Sequence, residues 1–253
     1  MSRQRRNRNK GLSLYIWHRY AGLFASLFVI FISITGIALN HTDDLELKKQ
    51  HISTDFLLSL YNVQDPSVII RFKTPQHTIS QADDMLFINT SPPLSIDSTL
   101  TGAIKHADFT IIALTNKLLL IDADSQLIET LDGLDGAPNN ISHIGLDEQQ
   151  RVNVLANNAI YLLTNDLVLA PIAFNYNINW VKSATVSTAD KNDISMQYRS
   201  EIISLETLML DIHSGRFFGA YGTLFFDIVG GILLFLAFTG VIIWLRQRPK
   251  KSS

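Results

Sequence analysis

The sequence predicts a membrane protein: two antiparallel transmembrane α-helices with a large β-rich extramembrane domain between them, built of meander or blade-like sheets. Three observations predict this. Residues 21–39 and 228–245 hold no charged side chain. Basic residues without acids flank the chain-terminal side of each run. Between the runs, short β-like stretches alternate with turn residues.

Residues 1–12 read as a basic cytoplasmic tail, carrying Arg3, Arg5, Arg6, Arg8 and Lys10. Residues 13–40 read as the first transmembrane helix. About 20 apolar residues at 1.5 Å rise cross a hydrocarbon core of roughly 30 Å, and this run is long enough. A cleaved signal peptide shares the basic start, but its apolar run is shorter and ends in a small-x-small cleavage site. Neither feature is present, so the segment is expected to stay in the membrane. Lys and Arg beside helix ends favour the cytoplasmic side. Both termini are therefore expected there. The whole chain has a formal charge of −2, yet residues 40–215 hold 10 basic and 22 acidic residues.

Residues 41–199 read as the β-rich domain. It opens with an expected helix at 43–61. Strand-like runs follow at 67–73, 85–89, 109–114, 117–122, 126–131, 151–155, 160–164 and 167–170, separated by turn signals such as Thr115-Asn116, Asn157-Asn158 and Asn165-Asp166. Residues 109–131 and 151–172 share a strand–turn–strand–turn–strand pattern, and 67–96 resembles a degenerate third copy. A repeat near 40 residues with three or four strands suggests blade-like sheets, and three copies are too few to close a normal propeller. About 175 residues suffice for a core without staples. The chain has no Cys, which excludes disulfides, thiol catalysis and thiolate metal sites.

Residues 200–215 carry Ile203, Leu205, Leu208, Met209 and Ile212 at helical spacing, with Gly215 as a C-cap. This predicts an amphipathic interfacial helix. Residues 219–245 form the second transmembrane helix and 246–253 a second basic cytoplasmic tail, with Arg246, Arg248, Lys250 and Lys251. Small residues line one face of each helix: Gly22, Ser26, Ser33 and Gly36 in the first, Gly222, Gly230, Ala237 and Gly240 in the second. They are expected to let the two backbones approach. Both helices also contain a similar stretch, with Thr35-Gly36 in one and Thr239-Gly240 in the other, a pattern that suggests a weak duplication.

Of seven histidines, His51, His77, His106 and His143 are scattered through the middle domain with no zinc-site spacing. The others stand at the expected membrane boundaries. His18 begins the first helix, His41 ends it, and His213 precedes the second. His18 and His41 lie roughly 34 Å apart along a helix. His41 and His213 are expected at the same face, where two imidazoles can hold a b-type haem; boundary histidines also serve as interfacial anchors. Asp227 stands inside the second span, where a charge usually faces protein, water or a partner, and Arg216 is the expected partner. The aspartates near 122–135 lack the order of a calcium loop. No phosphate loop, nucleophile elbow or basic patch outside the membrane flanks is present, and the acidic middle domain argues against nucleic-acid binding.

The boundary motifs resemble the PepSY-associated transmembrane family. They are Tyr15-Ile16-Trp17-His18-Arg19-Tyr20-Ala21-Gly22, then Thr35-Gly36 through Asn40-His41. Leu210-Asp211-Ile212-His213-Ser214-Gly215-Arg216 follows, with Gly222, Asp227, Thr239-Gly240 and Trp244. Members of that bacterial family are inner-membrane proteins linked to iron and siderophore uptake, and some longer, four-helix members look like dihaem reductases that release iron from siderophores in the periplasm. The resemblance implies a multi-pass protein of the inner membrane with a periplasmic main domain. It makes His18, His41 and His213 candidate ligands of haem b. This chain has two helices rather than four, so His18 lacks a partner within one chain, and a homodimer would supply it. No PepSY module is recognisable in residues 41–199. The implied function is a component of iron or metal uptake, with haem-dependent electron transfer or reduction and a periplasmic or membrane partner. The alternative is a non-enzymatic, membrane-anchored binding, sensing or assembly module.

Overall fold

The computed structural model describes residues 2–173 and 177–247. The chain forms two compact units. One combines Met1–Leu57 with Glu201–Ser253, and the other is Leu58–Ser200.

Helix α1 runs Ser2–Asn40. The expected tail at 1–12 is thus helical from Ser2. Arg, Lys and Gln are good helix formers, and a segment joined to an existing helix does not meet the cost of nucleation. The part Leu14–Asn40 is long and apolar enough to cross a membrane. The helix expected at 43–61 is replaced by turns over 41–49 and a short helix α2, Asp55–Leu60. Backbone bonding explains the difference. The Leu205 N–H donates to Gln50 O, the Glu206 N–H to Leu47 O, and the Ile52 N–H to Ile203 O. Carbonyls and amides engaged this way are lost to an i→i−4 ladder, and Glu46 has a φ of 50°.

The Leu58–Ser200 unit holds three antiparallel sheets. The first is β1 (Ile69–Lys73), β2 (Thr78–Ala82), β3 (Met85–Ile88) and β4 (Leu94–Ser95). The second is β5 (Leu100–His106), β6 (Phe109–Leu114), β7 (Leu118–Ile121) and β8 (Leu127–Leu131). The third joins β9 (Ile141–Leu146), β10 (Val152–Ala156), β11 (Ala159–Leu163) and β12 (Leu169–Ile172), with β13 (Asn179–Trp180) added beside β9. Each sheet contains a four-strand meander, so the repeat suspected from the sequence is real and holds three copies.

The sheets stack by opposite faces of the second. Ile112, Leu114, Leu119 and Ile121 pack with Phe72, Ile79, Leu86 and Ile88 of the first. Ile111, Ala113, Leu118 and Leu120 pack with Ile144, Val152, Val154 and Leu163 of the third. Alternation of side chains along a strand sends neighbouring residues to opposite faces, and here both faces are buried, so β6 and β7 read as unbroken apolar runs. Helix α3, Thr188–Ser200, covers the outer face of the first sheet, with Ile194 packed on Ala82 and Phe87.

Helix α4 is Leu205–Ser214, shorter than the helix expected over 200–215. Ser204 ends the preceding extended segment, which bridges to His51, and caps the helix by accepting the Thr207 N–H at 3.1 Å. Helix α5 is Gly219–Gln247, and Arg216–Arg246 is long and apolar enough to cross a membrane. The tail expected beyond it lies outside the described residues from 248 onward. His18 against Thr239 and Phe28 against Phe225 fix α1 and α5 as antiparallel neighbours. This is a membrane protein of two spanning helices flanking a β-sheet domain, as expected.

The small-residue stripes act differently from the expectation. Gly36 faces the His213 ring, Gly240 the His18 ring, and Gly22 the Leu236 side chain. They accept partner side chains rather than a partner backbone. Gly230 faces open space, and Ser26, Ser33 and Ala237 are exposed. The close backbone approach is elsewhere: a Cβ added at Gly222 would lie 2.1 Å from the Gly215 carbonyl oxygen.

Candidate functional site: two histidine–threonine locks

The helical unit carries two matching side-chain bonds. His213 sits in the last turn of α4, which ends at Gly215 in the left-handed conformation with φ 77°. Its Nδ1 lies 2.7 Å from Thr35 Oγ1 near the end of α1. His18, near the start of the span on α1, has its Nδ1 2.7 Å from Thr239 Oγ1 near the end of α5. Thr35 and Thr239 are 7% and 5% exposed. Along α1 the two locks are 17 residues apart, about 26 Å.

The threonine bonding bears on the tautomer. Thr35 Oγ1 donates to Phe31 O at 3.0 Å, and Thr239 Oγ1 donates to Phe235 O at 2.7 Å. A hydroxyl has one proton to give. With the hydroxyl proton directed to its own helix, each threonine accepts from the histidine, and Nδ1 is then the donor. The neutral ring therefore keeps its lone pair on Nε2, and neither Nε2 has a hydrogen-bond partner among the described residues. Gly36 and Gly240 stand beside the two threonines, and a Cβ at either would meet the ring at ordinary contact distance, 3.4 Å and 3.5 Å from the Cε1 atoms.

His41 and His213 are not joined to each other. His41 follows the last residue of α1, and its Nδ1 pairs with Asp44 Oδ2 at 3.0 Å in an exposed setting. It lines a polar pocket of about 390 Å³ with Asp43, Asp44, Lys48 and Glu206. Arg216 pairs with Asp211 at 3.1 Å rather than with Asp227, because the turn after Gly215 brings its guanidinium back over α4. Asp227 faces outward from the helix pair. Beside the His213 lock is an apolar groove of about 390 Å³ lined by Leu27, Phe28, Phe31, Phe218, Phe225 and Phe226.

The other histidines stay apart from these. His77 is buried between the first two sheets and bonds Thr110 at 2.8 Å. His51 pairs with Glu201 at 3.3 Å. No group of three or more His, Asp or Glu arranged for a metal ion occurs among the described residues. The threonines are what the sequence reading left unassigned. The signal was present as the paired Thr-Gly stretches of the two helices, whose meaning depends on which histidine each one meets.

Two antiparallel spanning helices, each lending a Thr-Gly step to a histidine brought by the other end of the unit, define a two-span membrane protein with a paired histidine site. The chain belongs to the family of the PepSY-associated TM region, whose model matches residues 1–247. The match takes in the β-sheet unit as well as the helices. No curated protein matches the chain.

Proposed function

We propose that this protein is a haem-bearing electron-transfer component of the bacterial inner membrane that serves iron or siderophore uptake, with both termini cytoplasmic and the β-sheet unit periplasmic. The observation that carries this reading is the pair of locked histidines. A metal-binding histidine usually donates its second ring N–H to a fixed acceptor, which sets tautomer and orientation. The Nδ1 atoms of His213 and His18 each lie 2.7 Å from a threonine hydroxyl, and with Nδ1 as donor each Nε2 would be left to hold iron. The donor set fits b-type haem, and the aromatic groove beside the Thr35 lock offers apolar walls.

Bound there, haem would supply one-electron transfer. His213 would hold iron at one end of the helix pair and His18 at the other. His41, kept in place by Asp44, is the further candidate near the His213 end. A second copy of the chain would bring the opposing ligand for His18. The flanking basic residues support the cytoplasmic placement of the termini.

The test is an absorption spectrum of the full chain purified from haem-replete cells. A Soret band is expected, reduced in His213→Ala and in His18→Ala and lost in the double variant. A colourless, folded preparation would remove the proposal.

One observation favours a second reading. The two bonds join α4 to α1 and α1 to α5, the helix-fastening role that a non-enzymatic anchored binding, sensing or assembly module requires. In that case His213→Ala lowers stability while the spectrum of the wild type stays featureless.

A further inference from the structure

Asp227 is a carboxylate at spanning depth with no partner among the described residues. Its depth follows from its neighbours. Phe225 packs its ring 5.3 Å from Phe28, and Phe28 is seven residues from Thr35, about 10 Å along α1. Asp227 is two residues further from that lock, about 13 Å in all. On the other side it precedes Thr239 by twelve residues, about 18 Å. It therefore stands between the two locks, well inside the Arg216–Arg246 span.

Its side chain points away from α1. Thr239, bonded to His18, and Phe225, packed on Phe28, mark the face of α5 turned toward α1, and Asp227 is exposed away from it with Thr223, Gly231, Leu234 and Phe238. It has no hydrogen bond or ion pair among the described residues. A charge at this depth is costly in lipid, and such residues face a partner or a watery path. Arg216 is already taken by Asp211, and Arg19 and Arg246 lie at the ends of the two spans.

We propose that the outward face of α5 around Asp227 docks a membrane helix of a different protein, one that carries a lysine or arginine at the same depth. Charge complementarity selects this occupant. A second copy inserts the same way up and brings another carboxylate to the same level, which repels. A partner cation satisfies Asp227, and the absence of a side chain at Gly230 and Gly231, where an added Cβ meets nothing within 4 Å, lets the partner backbone come near.

The experiment uses the full chain in phospholipid vesicles, labelled through a cysteine placed at Ser2, in a protein that has none of its own. Energy transfer is read to a synthetic single-span Leu/Ala helix with one central lysine, and to the same helix with leucine there. Association with the lysine helix is expected to be about tenfold tighter, and Asp227→Asn is expected to abolish the difference. Equal association of wild type with both helices would overturn the proposal. So would an intermolecular disulfide formed by Gly231→Cys with Asp227 intact, since that would make this face a contact between copies.

Discussion

His213 Nδ1 lies 2.7 Å from Thr35 Oγ1, and that hydroxyl also lies 3.0 Å from Phe31 O. With the hydroxyl proton directed to Phe31 O the histidine is the donor, and the bond depends on an oxygen at position 35. Thr35→Val keeps the shape and deletes the acceptor. The expected loss is about 1 kcal/mol, in the range of interhelical hydrogen bonds in membranes. Thr35→Ser should lose less. Reversible unfolding in detergent measures both, and a Thr35→Val protein as stable as the wild type would deny the bond any stabilising role.

The same relation fixes ring chemistry. Nitrogen NMR of the protein labelled at histidine should place the proton of neutral His213 and of neutral His18 on Nδ1, with Nε2 bare. Protonated Nε2 and bare Nδ1 would contradict the direction of both bonds.

Gly222 is where the turn after α4 presses on α5. A Cβ there would lie 2.1 Å from Gly215 O and 2.7 Å from Phe218 Cβ, so backbone would have to move. Gly222→Ala is expected to cost about 2–3 kcal/mol by overpacking. Gly231→Ala, which meets nothing within 4 Å, should be neutral or slightly stabilising through helix propensity. Thermal unfolding of the two variants side by side checks the contrast.

In the β-sheet unit, the Arg71 guanidinium beside Asp190 on α3 holds that carboxyl at about 2, helped by the Ser187 hydroxyl and amide. A carboxyl lowered by folding stabilises the fold fully above its ordinary value of 3.8, and the contribution disappears as pH falls toward the folded value. Asp190→Asn should therefore lower stability at pH 6 and narrow its gap from the wild type between pH 4 and pH 2. Denaturant titrations across that window are the measurement. A gap that widened with acid would reverse the assignment.

Asp147 gives a buried counterpart. Burial opposes its ionisation, but the Arg151 amide and guanidinium and the Asn153 side chain outweigh this and lower its pKa. The carboxylate also accepts the Gln149 N–H at 3.0 Å. Asp147→Asn replaces one acceptor with an amide facing Arg151 Nε, which now lies 2.8 Å from Oδ2. The expected cost is about 1–3 kcal/mol, read from the shift in unfolding midpoint.

The elements that the sequence made legible were those with one dominant physical signal. Charge-free length marked both spans, and apolar runs marked β6, β7 and β11. The strands that escaped lack such runs. β5 is broken by Gly102, where a Cβ would sit 2.4 Å from Ile144 Cγ2 of the third sheet. β9 carries Ser142, His143 and Gly145, and β2 buries Gln81, which accepts the Leu100 N–H at 2.7 Å. Their burial comes from neighbouring sheets rather than from their own pattern. The helix α3 is polar apart from Ala189, Ile194, Met196 and Tyr198, so its place over the first sheet had little periodicity to announce it. At the site, the three boundary histidines could be named from position, but their partners could not. Pairing is a matter of helix register and rotation, and the Thr-Gly steps gain meaning only when α1 and α5 are set side by side.

The two locks sit at opposite ends of one helix pair, and the wedge of Gly215 against Gly222 makes the α4–α5 corner move as a piece. Sliding α5 along α1 would stretch both histidine bonds together, like drawing a bolt through two pins. Rocking about one lock loads only the other. Piston motion of α5 against α1 therefore strains both bonds at once, whereas tilt about one end strains a single bond.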